Sequence, residues 1–73
     1  MPILIDVSAE RPDRPTKVLL IDDSPTVRLE IEGILSGNGF SVSMAADGRE
    51  GLWQLWRDRP DVILCDIVMP GID

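Results

Sequence analysis

The chain contains no histidine and a single cysteine, Cys65. Lacking histidine, it lacks the commonest metal-binding side chain and the commonest general base near neutral pH. Zinc sites and Ser-His or Cys-His catalysis are thereby excluded within these 73 residues. One cysteine cannot form an internal disulfide, so nothing staples a chain this short, and its core is marginal unless something else supports it. Positive charge is also scarce. Seven basic residues stand against thirteen acidic ones, for a net charge of −6. That balance argues against nucleic acid or an anionic membrane as a direct partner. No apolar run reaches the length of a membrane span, and the start has no basic region leading into a long apolar stretch. The expectation is a soluble protein of the reducing cytoplasm.

What is present divides at about residue 16. The segment SAERPDRPT, with Pro12 and Pro15 and mixed charge, has the composition of extended or disordered chain. Residues 1–16 are therefore read as an N-terminal tail or linker. The short apolar run Ile3-Leu4-Ile5 inside it is either a loose tail or a stray strand. From Lys17 the pattern is regular. Val18-Leu19-Leu20-Ile21 is a continuous apolar run of strand length, as in a strand buried on both faces. After Asp22-Asp23, Ser24 is placed as a helix N-cap with Pro25 at the first helical position. Val27, Ile31, Ile34 and Leu35 recur at helical spacing, and Gly37-Asn38-Gly39 ends that helix. Phe40, Val42 and Met44 alternate with serines, which predicts a second strand with one face better buried. Asp47 and Glu50 have capping-box spacing for a second helix, whose apolar stripe is read as Leu52, Leu55 and Trp56, widened by Trp53; the two tryptophans are expected to cover the sheet. Pro60 stops it. Val62-Ile63-Leu64-Cys65 is a third, continuously apolar strand that ends at Asp66. Cys65 there is expected to be a small core residue.

Strand, helix, strand, helix, strand implies parallel pairing through right-handed crossovers. Order 2-1-3 satisfies the first strand on both sides and makes the gap between the first and third strands a topological switch point, beyond whose carboxyl ends ligands bind in open α/β sheets. Asp22, Asp23 and Asp66 all fall at those ends. At an effective dielectric of about 20, two such charges 4 to 5 Å apart repel by roughly 3 to 4 kcal/mol, which a hard divalent cation relieves. Magnesium suits such a site, since it takes one or two carboxylates and keeps positions for water and phosphate oxygens. Either aspartate group alone also fits a plain turn or cap; the joint placement is the signal.

Three stretches, LLIDDSPTVR, AADGREGLWQL and PDVILCDIVMPGID, resemble the receiver domain of two-component response regulators, the CheY-like superfamily. In the last, an aspartate ending a strand is followed three residues later by Met-Pro and then Gly-x-Asp. The resemblance runs from Lys17 to Asp73. It implies a partial flavodoxin-like, doubly wound α/β fold in which residues 17–73 are a truncated receiver domain whose second half is absent. It implies that Asp66 accepts phosphate from a histidine kinase or phosphotransfer protein. Magnesium would be held by Asp22, Asp23, Asp66 and the backbone carbonyl of Val68. The family's Ser or Thr after a fourth strand and its Lys after a fifth have no counterpart here, and Lys17 lies at the wrong end of the sheet, so impaired phosphate chemistry is expected. An interaction or oligomerisation module derived from a receiver is the alternative. A metal-dependent phosphohydrolase needs a nucleophile and an acid two residues apart after the first strand, and no Asp-x-Asp occurs. The domain is thus read as a signalling module and not an enzyme. The third strand, apolar and at an open edge, predicts a homo-oligomer, through edge-to-edge pairing of third strands or through Ile3-Leu4-Ile5, from the same chain or its partner, inserted beside the third strand.

Overall fold

The computed structural model describes residues 3–6 and 14–66. Its elements in chain order are β1 (Ile3–Asp6), β2 (Lys17–Asp22), α1 (Pro25–Gly37), β3 (Ser41–Ala45), α2 (Gly48–Asp58) and β4 (Val62–Asp66). One sheet contains all four strands in the order β1-β4-β2-β3. β2 runs parallel to β3 on one side and to β4 on the other, while β1 runs antiparallel to β4. The sheet is therefore mixed and four-stranded, not the three-stranded parallel sheet of order 2-1-3 expected from the pattern. The difference comes from the tail: Ile3-Leu4-Ile5 takes the strand alternative and occupies the outer edge of β4. That edge is therefore not open to the third strand of another copy, as the edge-to-edge route to an oligomer required.

Each element starts and stops for local reasons. Ser24 has extended backbone and its Oγ accepts a hydrogen bond from the N–H of Val27 at 3.3 Å, with Pro25 following it into α1. At the other end the helix tightens: the N–H of Asn38 donates to Leu35 O and that of Gly39 to Ser36 O. Gly39 has φ +88, a backbone region open chiefly to glycine, and it turns the chain into β3. Asp47 caps α2 by accepting from the N–H of Glu50 at 2.8 Å. The helix ends at Arg59, a left-handed residue (φ 48) whose N–H donates to Leu55 O.

The core is centred on β2, where Val18 to Asp22 are all buried and Leu20 is fully enclosed. Successive residues alternate faces and register partners share one. Leu19, Ile21, Ala45 and Ile63 form a cluster on one face, with Leu55 of α2 and Cys65 packed against it. Gly51 explains how α2 comes so close, because a Cβ there would collide with the Ile21 side chain. The helix stripes read from spacing need correction. Ile34 is 64% exposed, and Trp53 and Trp56 are 60% and 74% exposed, so the tryptophans do not cover the sheet. α2 turns Gly51, Gln54 and Leu55 inward instead. Gln54 is accommodated because its amide donates to the carbonyl of Met44 and to Glu50 Oε1. Among the described residues no helix is long and apolar enough to cross a membrane.

Candidate functional site

Asp22 and Asp66 are register partners, each the last residue of its strand, at the carboxyl ends of the adjacent parallel strands β2 and β4. Parallel pairing with no offset between the two motifs brings these two carboxylates to one edge of the sheet. Asp22 is 3% exposed. Its Oδ1 accepts from the N–H of Ser24 at 2.8 Å, which ties the turn between β2 and α1 to the strand. Its Oδ2 is buried with no hydrogen-bond partner among the described residues. A buried acceptor left unmatched costs about 1–3 kcal/mol, and more when charged. Asp23, one residue on, is exposed, while Asp66 is half-buried. Val68, the expected backbone ligand, lies outside the described residues.

The three aspartates are thus placed at one end of the sheet, with Asp22 and Asp66 directly paired and Asp23 turned to solvent. Among the described residues no group of three or more His, Cys, Asp or Glu side chains is gathered as a metal ion requires. The donor chemistry nevertheless suits a hard cation: the side chains are carboxylates, and one buried oxygen is unmatched. The site is an open edge. A groove of about 500 Å³ among the described residues lies elsewhere, between Asp47, Arg49, Glu50, Leu52, Trp53 and Trp56.

Two polar residues that pattern reading passed over organise the two ends of the sheet. Arg28, one turn into α1, donates from Nη1 to the backbone carbonyl of Asp22 at 2.7 Å. It locks the acidic turn against the helix and brings a guanidinium to the carboxylate end. At the opposite end Asp61, 5% exposed, accepts from the N–H of Lys17 at 2.9 Å and from Arg14 Nη2 at 3.0 Å. Its own N–H donates to Lys17 O at 2.8 Å. Asp61 therefore clamps the starts of β2 and β4 together and fixes the register that aligns Asp22 with Asp66. Spacing could not reveal either contact: Arg28 meets a backbone carbonyl six residues back, and the Asp61 contacts span more than forty residues. The Pro60-Asp61 step before an apolar run was the nearest signal for the second.

The family model for the response regulator receiver domain matches residues 18–73. The chain belongs to that family. It is 44% identical over 59 residues to the response regulator MprA of Mycolicibacterium vanbaalenii, covering 81% of this chain and 26% of that protein. The MprA of Mycobacterium leprae is 44% identical over 57 residues (78% of this chain, 25% of that protein). That of Mycobacterium bovis is 42% identical over 57 residues, with the same shares. The chain spans about a quarter of the length of these relatives. No solved structure matches it significantly. Receiver domains are signalling modules of two-component systems, so the chain carries a signalling module, and the shared stretch contains Asp22, Asp23 and Asp66 but not β1.

Proposed function

We propose that this receiver domain, bounded at residue 17, takes a phosphoryl group onto Asp66 from a histidine kinase or phosphotransfer protein. The supporting observation is the pairing of Asp22 with Asp66 across β2 and β4, with one Asp22 oxygen buried and unmatched. An Asp66 oxygen attacks phosphorus, the P–N bond to the donor imidazole breaks, and the imidazole leaves with the bonding electrons. An acyl phosphate remains. Aspartate is a weak nucleophile, so positioning and charge compensation carry the reaction. Asp22, Asp23, Asp66 and the Val68 carbonyl would hold magnesium, which supplies countercharge for the phosphoryl oxygens. Arg28 holds the Asp22 turn in place through the backbone carbonyl, and Ser24 holds its Oδ1. The setting is the cytoplasm, where the phosphodonor is found.

A polypeptide of these 73 residues has no Ser, Thr or Lys among residues 67–73. Charge-assisted contacts to the phosphoryl group from such residues are then missing, and the reaction of this polypeptide is slow. Acetyl phosphate with magnesium should add one phosphoryl group to a minor fraction of the chain, seen by intact mass, and Asp66→Asn should remove it. Equal modification of the Asp66→Asn variant would defeat the assignment.

A second reading, an interaction module that does not use phosphate, is favoured by the absence of a gathered metal cluster among the described residues. Magnesium titration followed by tryptophan fluorescence separates the two. Saturable binding that Asp22→Asn abolishes supports the phosphoacceptor, and none up to tens of millimolar supports the module.

A further inference from the structure

The helix α2 carries its bulk on the side turned away from the sheet. Gly51, Gln54 and Leu55 face inward, whereas Trp53 and Trp56 are exposed among the described residues. Three residues apart, the two tryptophans are neighbours along one helix face. With Leu52 they supply the apolar wall of the groove of about 500 Å³. An element added to the same sheet layer packs beside α2, where a smaller groove runs from Leu52 and Leu55 to Ile63, and does not cross the outer face. Trp53 is already fixed in place. The Arg57 guanidinium lies 4.5 Å from its ring centroid and is itself held by two hydrogen bonds to Asp58. Large, exposed aromatic side chains beside arginines have the composition of a binding hot spot.

The charges around this face select its occupant. Asp47, Glu50 and Asp58 each accept a hydrogen bond within the chain, from the Glu50 N–H, from Gln54 and from Arg57. Arg49 and Arg59 are exposed and make no hydrogen bond or ion pair among the described residues. Arg49 is also the second residue of α2, at the positive end of the helix dipole, where a cation is unfavourable. Helix stability does not explain its place; an anion from outside the chain does. Arg59 is the left-handed residue just past the last turn. At the helical rise the two arginines stand roughly 15 Å apart, with both tryptophans between them. We propose that the outer face of α2 docks a short acidic, amphipathic helix of a partner protein, its apolar side chains on Trp53 and Trp56 and its carboxylates at Arg49 and Arg59. A membrane or a nucleic acid fits less well. An extended polyanion meets a whole chain of net charge −6, whereas a short helix meets this face alone.

The chain has two tryptophans, both on this face, so its own fluorescence reports the contact. The probe is a tryptophan-free synthetic helix with leucines at i, i+3, i+4 and i+7 flanked by glutamates, beside a twin with lysine for each glutamate. The glutamate helix should shift the tryptophan emission to the blue, saturably, and bind at least about tenfold more tightly than its twin. Arg49→Glu, which suits the first turn of a helix, should reverse that preference. If it loses its circular dichroism, Arg49→Gln, which removes the charge alone, should shrink the preference instead. Trp56→Ala should weaken the glutamate helix about tenfold in the anisotropy of a labelled peptide, with circular dichroism unchanged. No saturable binding of the glutamate helix up to roughly millimolar concentration would overturn the proposal. So would equal affinity for the two helices, or a preference that neither Arg49 variant moves. Vesicles of anionic lipid are the competing occupant, and a blue shift with vesicles that the glutamate helix does not produce would give the face to a membrane instead.

Discussion

Two strands of this sheet are nearly the same in sequence and quite different in surroundings. β2 carries Val18-Leu19-Leu20-Ile21-Asp22, and β4 carries Val62-Ile63-Leu64-Cys65-Asp66, aligned residue for residue. Every one of those β2 residues is buried, whereas on β4 only Ile63 is, at 9% exposure. Composition cannot account for that. β2 lies between two strands and beneath both helices, while β4 has β1 at its edge and, among the described residues, no helix centred over it, although Leu55 of α2 reaches the cluster that holds Ile63. The aspartates that end the two strands inherit the same contrast: Asp22 is buried with one oxygen unmatched among the described residues, and Asp66 is half-buried. The more accessible of the two is the one proposed above to take the phosphoryl group.

Leu20 and Leu64 make the comparison quantitative, because they are register partners of one residue type. Leu20→Ala removes a fully enclosed side chain and should cost about 3–5 kcal/mol, from lost transfer free energy and the cavity left behind. A domain of this size has few kcal/mol to lose, so the variant should be largely unfolded. Leu64→Ala, starting half-buried, should cost about 1–2 kcal/mol. Equal losses in urea denaturation would show that the β4 half is covered in solution by something other than the described residues.

The clamp between the two strands comes next. Asp61→Ala takes the acceptor from the Lys17 N–H and from Arg14. Leaving that N–H without its partner should cost about 1–3 kcal/mol. Since the contact aligns β2 with β4, any magnesium affinity should fall along with stability, whereas Leu64→Ala should change stability alone. Asp61→Asn, which keeps an acceptor oxygen, should recover part of both.

Gly51→Ala tests the cover on the β2 half. The added methyl meets Ile21, and overpacking in a core costs about 1–3 kcal/mol, while alanine returns about 1 kcal/mol of helix propensity. A net loss near 1 kcal/mol is expected, and combining it with Ile21→Val should relieve much of it. A net gain from Gly51→Ala would mean that α2 rides higher over the sheet.

These sites also show which parts of the fold were legible in the sequence. The helix starts were, because Ser24-Pro25 and Asp47 act on neighbours three residues away, within reach of a local pattern. The parallel strands around Asp22 and Asp66 followed from chain order and the handedness of crossovers. β1 was legible only as one of two alternatives, a loose tail or a strand beside the third strand, because four residues have no period to read and their partner is an edge sixty residues on that only the assembled sheet creates. The tryptophan stripe misled for a related reason. Hydrophobicity marks Trp53 and Trp56 as inward, but the tight approach of Ile21 selects the side of α2 bearing Gly51, and bulk is turned outward. Arg28 was invisible because its partner is a backbone carbonyl, which carries no residue type, and Asp61 because its partners, the Lys17 N–H and Arg14, lie more than forty residues away.

The smallest effect should come from the exposed side of α2, where nothing is covered. Arg57 lies with its guanidinium carbon 4.5 Å from the Trp53 ring centroid and donates to Asp58 at 2.9 and 3.1 Å. The hydrogen bonds from Arg57 hold the Asp58 carboxyl below its usual range, with its positive charge and the Ser43 hydroxyl adding to them and desolvation opposing. A carboxyl depressed in the folded state stabilises the fold at pH above its unfolded value, and the contribution fades as pH falls through the folded value. Around an exposed pair that contribution is small and further screened by salt. Arg57→Ala should therefore raise the Asp58 titration midpoint toward the ordinary aspartate value in carboxyl NMR, quench the difference at high salt, and leave neutral-pH stability almost unchanged. A loss at neutral pH comparable with that of Asp61→Ala would mean that the outer face of α2 is as heavily used as the clamp between the strands, and that its tryptophans are covered in solution after all.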